Sequence, residues 1–229
     1  MPVNLNSYKQ ISDELQKKNV TLVAVSKTKP AEEILELYEL GQRDFGENYE
    51  QELTDKYDQL PKDIHWHFIG HLQSNKVKYI APFVSLIHSV DSSKLLKEIN
   101  KQGKKNNRVI DCLLQVYIAK EETKFGLNED ELHELINTNY TNLSNYRNVR
   151  ICGLMGMASF TDDMEKVRDE FKFLKSLFDK YAEFSISNFQ FSILSMGMSA
   201  DYSVAAEEGS NMVRIGSLLF GQRSPLQKG

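Results

Sequence analysis

Cysteine is scarce in this 229-residue chain, and its two cysteines, Cys112 and Cys152, lie far apart in separate apolar runs without C-x-x-C spacing. That excludes a disulfide framework and a paired-thiol motif, and leaves buried, inert thiols in a reducing compartment. No apolar run approaches the ~18 residues that a membrane-spanning helix requires. The first residues carry no charged-then-apolar leader, so the chain reads as cytoplasmic with no membrane partner. Neither sign of charge dominates: Lys+Arg 28 against Asp+Glu 32 gives a net charge of -4, which repels polyanions weakly. One basic stretch, KQGKKNNR at 101–108, interleaves no aromatics and reads as a solvated turn, so no nucleic-acid partner is expected. Linkers rich in Pro, Gly or Ser, low-complexity tracts and internal repeats are also missing, and residues 1–229 read as a single domain.

What the chain does have is alternation. With 41% hydrophobic and 26% charged residues it has the composition of a globular domain. Short β-branched or aromatic runs at 21–26, 42–45, 65–69, 85–90, 109–117, 149–154, 191–195 and 212–215 predict eight strands. Helical spacing fills the intervals at 31–40, 47–57, 92–101, 130–137, 162–181 and 200–208, and an extra helix at 6–18 precedes the first strand. In the 162–181 segment Val167, Phe171, Leu174 and Phe178 form an apolar stripe, while Lys166, Asp169, Lys172 and Asp179 fill the other face. Eight strands alternating with helices predict an α/β fold, a closed (β/α)8 TIM barrel, with a doubly wound open sheet as the runner-up.

Barrels gather their chemistry at the C-terminal strand ends and often hold phosphate after strands seven and eight. After the seventh strand comes Ser195-Met196-Gly197-Met198-Ser199, and after the eighth Arg214-Ile215-Gly216-Ser217. Glycines and small hydroxyl residues let backbone amides approach an anion. Lys27 follows the first strand, which neighbours the eighth in a closed barrel. A lysine beside a phosphate cradle points to imine formation with a phosphorylated carbonyl compound, either pyridoxal 5'-phosphate or a sugar phosphate in an aldolase.

Further segments carry a resemblance: Val23 to Pro30 (VAVSKTKP), Phe45-Gly46-Glu47-Asn48, Trp66 to Gly70 (WHFIG) with Leu72-Gln73 and Asn75-Lys76, His88-Ser89-Val90-Asp91, Lys124-Phe125-Gly126, the 195–199 loop and Val213 to Gly216. In this order the chain resembles the pyridoxal-phosphate homeostasis proteins, which share the fold of the N-terminal barrel of bacterial alanine racemases. The resemblance implies that Lys27 holds pyridoxal 5'-phosphate as an imine. It also implies that Ser195, Met196, Gly197, Ser199, Gly216 and Ser217 form the phosphate site and that Arg214 meets the pyridine nitrogen. Asn48, His67, Ser89 and Met155 would line the pocket. An arginine at the ring nitrogen weakens the ring as an electron sink, so the expected role is vitamin B6 homeostasis with an indirect effect on amino-acid and keto-acid balance. No catalytic residue is assigned. The alternative is a weak racemase or another lysine-imine enzyme; the racemases use a tyrosine from a second domain, which this chain, ending near the barrel's last helix, is expected to lack. The implied partners are the cofactor and the apo-enzymes that depend on it, with the protein a monomer or weak dimer. The chain departs from the expected Leu-Met-x-x-x-Pro pattern, reading Leu154 to Ser159 as LMGMAS.

Several residues also have plainer readings. His65, His67 and His71 suggest a metal only superficially, because no carboxylate or further histidine stands at ligand spacing. Trp66 and Phe68 read as core, Asp91 as a helix N-cap or its neighbour, and Lys29 competes with Lys27 for the imine.

Overall fold

The structure, a computed structural model, describes residues 3–119, 125–143, 146–183 and 189–221. Helix α1 (Leu5–Lys17) starts at Asn4, whose side chain accepts from the N–H of Ser7. The chain then alternates through β1 (Thr21–Val25), α2 (Ala31–Glu39), β2 (Asp44–Glu47), α3 (Glu50–Gln59), β3 (His65–Phe68), α4 (Val77–Ile80), β4 (Leu86–Val90) and α5 (Ser93–Lys105). It continues through β5 (Ile110–Val116), α6 (Glu129–Leu143), β6 (Val149–Gly156), α7 (Met164–Ala182), β7 (Phe189–Ser195), α8 (Tyr202–Glu207), β8 (Met212–Ile215) and α9 (Ser217–Phe220).

The strands close in chain order, all parallel, with β1 paired to β8 from Thr21 opposite Met212 to Ala24 opposite Ile215. The expected barrel and its leading extra helix are therefore present. Alternation along each strand sends one set of side chains into the lumen, where Val23, Leu86, Leu113, Cys152, Met155 and Met212 pack together. The other set meets the helices and includes Trp66 and Phe68, both buried as expected. Helix α7 lays Val167, Phe171, Leu174, Leu177 and Tyr181 on the barrel, capped by Asp163, which accepts from Lys166 N–H. Phe178 packs at the edge of the same stripe.

Three differences from the sequence reading bear on the site. Strand β2 lies two residues later than expected, so Glu47 is a buried strand residue and not a helix start. Strand β6 runs two residues beyond the expected 154, to Gly156. Helix α5 continues to Lys105, so most of the basic 101–108 stretch is helical. Asp91 neighbours the cap, which is Ser92. Lys124 lies outside the described residues.

Candidate functional site

A cavity of about 820 Å³ opens at the C-terminal ends of the strands, a size suited to a small cofactor. Its wall brings together Lys27, Asn48, Ser199, Arg214, Gly216 and Ser217, six of the residues singled out from the sequence.

Lys27 sits two residues past β1 in a turn that is held from below. The preceding residue, Ser26, donates its hydroxyl to Glu47 Oε1 at 2.6 Å, and its carbonyl accepts from Lys56 Nζ at 2.8 Å. The following residue, Thr28, donates its N–H to Glu52 Oε1 at 2.6 Å and adopts a φ of 64°. A β-branched residue in the left-handed region is disfavoured, so the turn is maintained by its surroundings. Lys56 joins the two carboxylates, donating to Glu47 at 2.7 Å and to Glu52 at 2.6 Å. Burial drives Glu47 up to about 7 against the opposing pull of Lys56 and Ser26.

Lys29 also reaches the cavity, but its amine donates to the Phe220 carbonyl at 2.5 Å and lies 3.7 Å from Glu33. Asn48, just beyond β2, presents a buried Oδ1 with no hydrogen-bond partner among the described residues. A buried orphan acceptor at a cavity wall is a costly feature that a ligand donor or water would relieve.

At the floor, Arg214 on β8 donates from Nη1 to Ser195 Oγ at 2.6 Å and from Nη2 to the Gly156 carbonyl at 2.9 Å. Burial lowers its pKa to about 10, with the charge of Asp201 acting the other way, so the group stays cationic at neutral pH. The two loops beside it fit an anion. Gly197 has a φ of 94°, and a Cβ there would lie 2.6 Å from that of Ala205, so only glycine makes this turn unstrained. Gly216 N–H donates to Ser199 Oγ at 3.3 Å, linking the loops, and Met198 N–H donates to Asp201 Oδ1 at 2.5 Å. The amides of Ser199, Ala200, Ser217 and Leu218 have no acceptor among the described residues.

The remaining expected residues lie behind the wall. His67 and Ser89 are buried within β3 and β4, short of the strand ends, and Ser89 Oγ has no partner among the described residues. Met155 belongs to the lumen cluster because β6 is longer than expected, and Met157 takes the wall position. Ser195 supports Arg214, Met196 packs in the core and Gly197 forms the turn. The loop at 158–162, which begins within the segment that departs from the Leu-Met-x-x-x-Pro pattern, borders the cavity, and its part beyond Ser159 carried no expectation for the site. Glu170 of α7 fixes that loop by accepting from both the N–H and the hydroxyl of Ser159 at 2.7 Å. A glutamate on the apolar face of α7 is a further signal for it.

The histidines serve other ends. His65 Nδ1 and His67 Nε2 meet the same oxygen of Asp44 at 3.3 and 3.0 Å, so they do share a face. His71 stacks on Phe125 with centroids 4.3 Å apart. No three or more His, Cys, Asp or Glu side chains among the described residues are arranged to hold a metal ion. Both thiols are buried and unpaired; burial pushes Cys152 up to about 11 and Cys112 well above its ordinary value.

Comparison with known proteins places this arrangement. Residues 4–224 match the family described as alanine racemase, N-terminal domain. The pyridoxal phosphate homeostasis protein of Aquifex aeolicus is 45% identical over 204 residues, covering 88% of this chain and 86% of the relative. The protein of the same name from Homo sapiens is 40% identical over 221 residues, covering 90% and 78%. Among solved structures, PipY of Synechococcus elongatus with pyridoxal phosphate bound superposes with a TM-score of 0.82 at 31% identity, covering 94% of this chain and all (100%) of PipY. An alanine racemase of Clostridium difficile shares the fold at 16% identity and a TM-score of 0.73, but this chain spans only 62% of it.

Proposed function

The chain belongs to the pyridoxal phosphate homeostasis proteins of the alanine racemase N-terminal domain family, and we propose that it holds pyridoxal 5'-phosphate at the barrel mouth through the amine of Lys27. The observation that carries this reading is the convergence, in one cavity, of that amine, the Arg214 cation and the two hydroxyl- and glycine-bearing loops after β7 and β8. The residues present fit the cofactor: Asn48 offers an unpartnered buried acceptor, and the loops offer unpaired amides to a phosphate. When bound, the cofactor supplies an aldehyde that a primary amine captures reversibly with loss of water.

Lys27 provides that amine, on a turn braced on both sides by the Glu47, Lys56 and Glu52 cluster. Lys29, the other amine on the cavity wall, donates to the Phe220 carbonyl and lies 3.7 Å from Glu33. Ser199, Gly216 and Ser217 would hold the phosphate. Arg214, which donates hydrogen bonds and accepts none, would meet the ring nitrogen and keep it unprotonated, which disfavours carbanion chemistry. The site is therefore built to hold the cofactor more than to use it, and its role is to buffer a reactive aldehyde on behalf of dependent enzymes. The visible absorption spectrum of the purified protein tests this. A band in the visible that borohydride bleaches supports it; a protein that stays colourless after incubation with the cofactor overturns it.

A further inference from the structure

Beneath Arg214 a chain of hydrogen bonds crosses the barrel lumen. Ser195 Oγ, which accepts from Arg214, lies 3.2 Å from His88 Nδ1. His88 Nε2 is 2.9 Å from His67 Nδ1, and His67 Nε2 is 3.0 Å from Asp44 Oδ1. Asp44 is the first residue of β2 and borders a groove at the opposite, N-terminal end of the barrel. The chain thus joins the cavity floor to the far mouth through β8, β7, β4, β3 and β2. Ser195 and His88 are fully buried, and His67 and Arg214 nearly so.

With both imidazoles neutral, proton positions along this chain are set by its two ends. Arginine only donates and a carboxylate only accepts. Asp44 is taken as the ionised end: burial raises its pKa, but the interactions with His67 and His65 outweigh that and hold it below its ordinary value. His67 must therefore donate from Nε2. A neutral His67 then accepts at Nδ1 from His88 Nε2–H, and His88 accepts at Nδ1 from the Ser195 hydroxyl. Burial, chiefly, and the charge of Arg214 push His88 well below its ordinary value, consistent with a neutral ring. Every donor in the series points the same way, an arrangement in which neighbouring hydrogen bonds polarise one another. The Arg214 guanidinium feels the charge of Asp201, and its hydrogen bond to Ser195 links it through this series to a second carboxylate, Asp44.

We propose that Asp44, His67, His88 and Ser195 are positioning residues for Arg214: they fix both imidazoles as neutral Nε2–H tautomers, orient the Ser195 oxygen toward the guanidinium, and transmit the charge of Asp44 to the cavity floor. For cofactor binding the inference rests on Arg214 meeting the cofactor ring. A charge at one mouth of the barrel then sets how firmly the ring is held at the other.

Nitrogen-15 spectra of the histidine rings in the cofactor-free protein at neutral pH test the relay directly. Protons on Nε2 of both His67 and His88 are expected; a proton on His88 Nδ1, or an imidazolium at either ring, overturns it. Asp44→Asn tests the transmission, because the amide oxygen still accepts from His67 while the charge is lost. A folded variant, checked by thermal unfolding, should bind pyridoxal phosphate roughly three- to tenfold more weakly, with a shifted absorption band. Wild-type affinity and spectrum in that variant would overturn transmission. A wild-type protein that takes up no cofactor would overturn the reading of the site instead, and the ring spectra would still decide the relay.

Discussion

The backbone N–H of Thr28 donates to Glu52 Oε1 at 2.6 Å, tying the residue after Lys27 to helix α3. The same oxygen accepts from Lys56, which also holds the carbonyl of Ser26, the residue before Lys27. One ammonium and one carboxylate therefore grip both flanks of the proposed tether. Such preorganisation reduces the ordering cost of capturing a ligand.

Glu52→Ala removes the acceptor of Thr28 and one of the two carboxylates at Lys56. A loss of about 1–3 kcal/mol in stability is expected by urea titration. Cofactor affinity should fall in the same variant under conditions where it remains folded. Unchanged affinity would show that the turn does not need this brace.

Glu47 gives the protein a pH-dependent stability. Its carboxyl is raised from an ordinary 4.5 to about 7, chiefly by burial. The folded state thus keeps the proton more tightly than the unfolded chain, and this contribution is fully present below about 4.5 and lost as pH rises to about 7. The span amounts to at most about 3 kcal/mol. Glu47→Gln cannot ionise and should lack this slope. Between about pH 4.5 and 8 the urea midpoint of the wild type should fall relative to that of Glu47→Gln as pH rises; a constant difference would contradict the account.

Gly197→Ala should damage both fold and site. The new methyl meets the Ala205 side chain at a backbone φ of 94° that alanine disfavours. A cost of about 2 kcal/mol is expected, with weaker binding of inorganic phosphate by calorimetry. A variant that is destabilised but binds phosphate normally would remove the 195–199 loop from the site.

The barrel was legible in the sequence because its strands are short apolar runs separated by helical periodicity, and burial on both faces enforces that pattern. The strand ends were less so. A charged residue, Glu47, closes β2, and its compensating partner Lys56 lies on the next helix, a pairing that hydrophobic patterning does not register. Likewise Met155 and Met157 are alternating residues of similar character, and only the length of β6 decides which one reaches the cavity. Lys27, Arg214 and the two glycine loops stood out because each breaks the pattern at a strand end. His88 and Ser195 are 107 residues apart in sequence, so their contact exists only once the barrel has closed.

The central claim is that Lys27 is the covalent tether. Loading the protein with pyridoxal phosphate, reducing with borohydride and mapping the modified peptide by mass spectrometry tests it most directly. The account predicts an adduct on Lys27 that Lys27→Ala abolishes. An adduct on Lys29 in the wild type, or an undiminished adduct in Lys27→Ala, would contradict it.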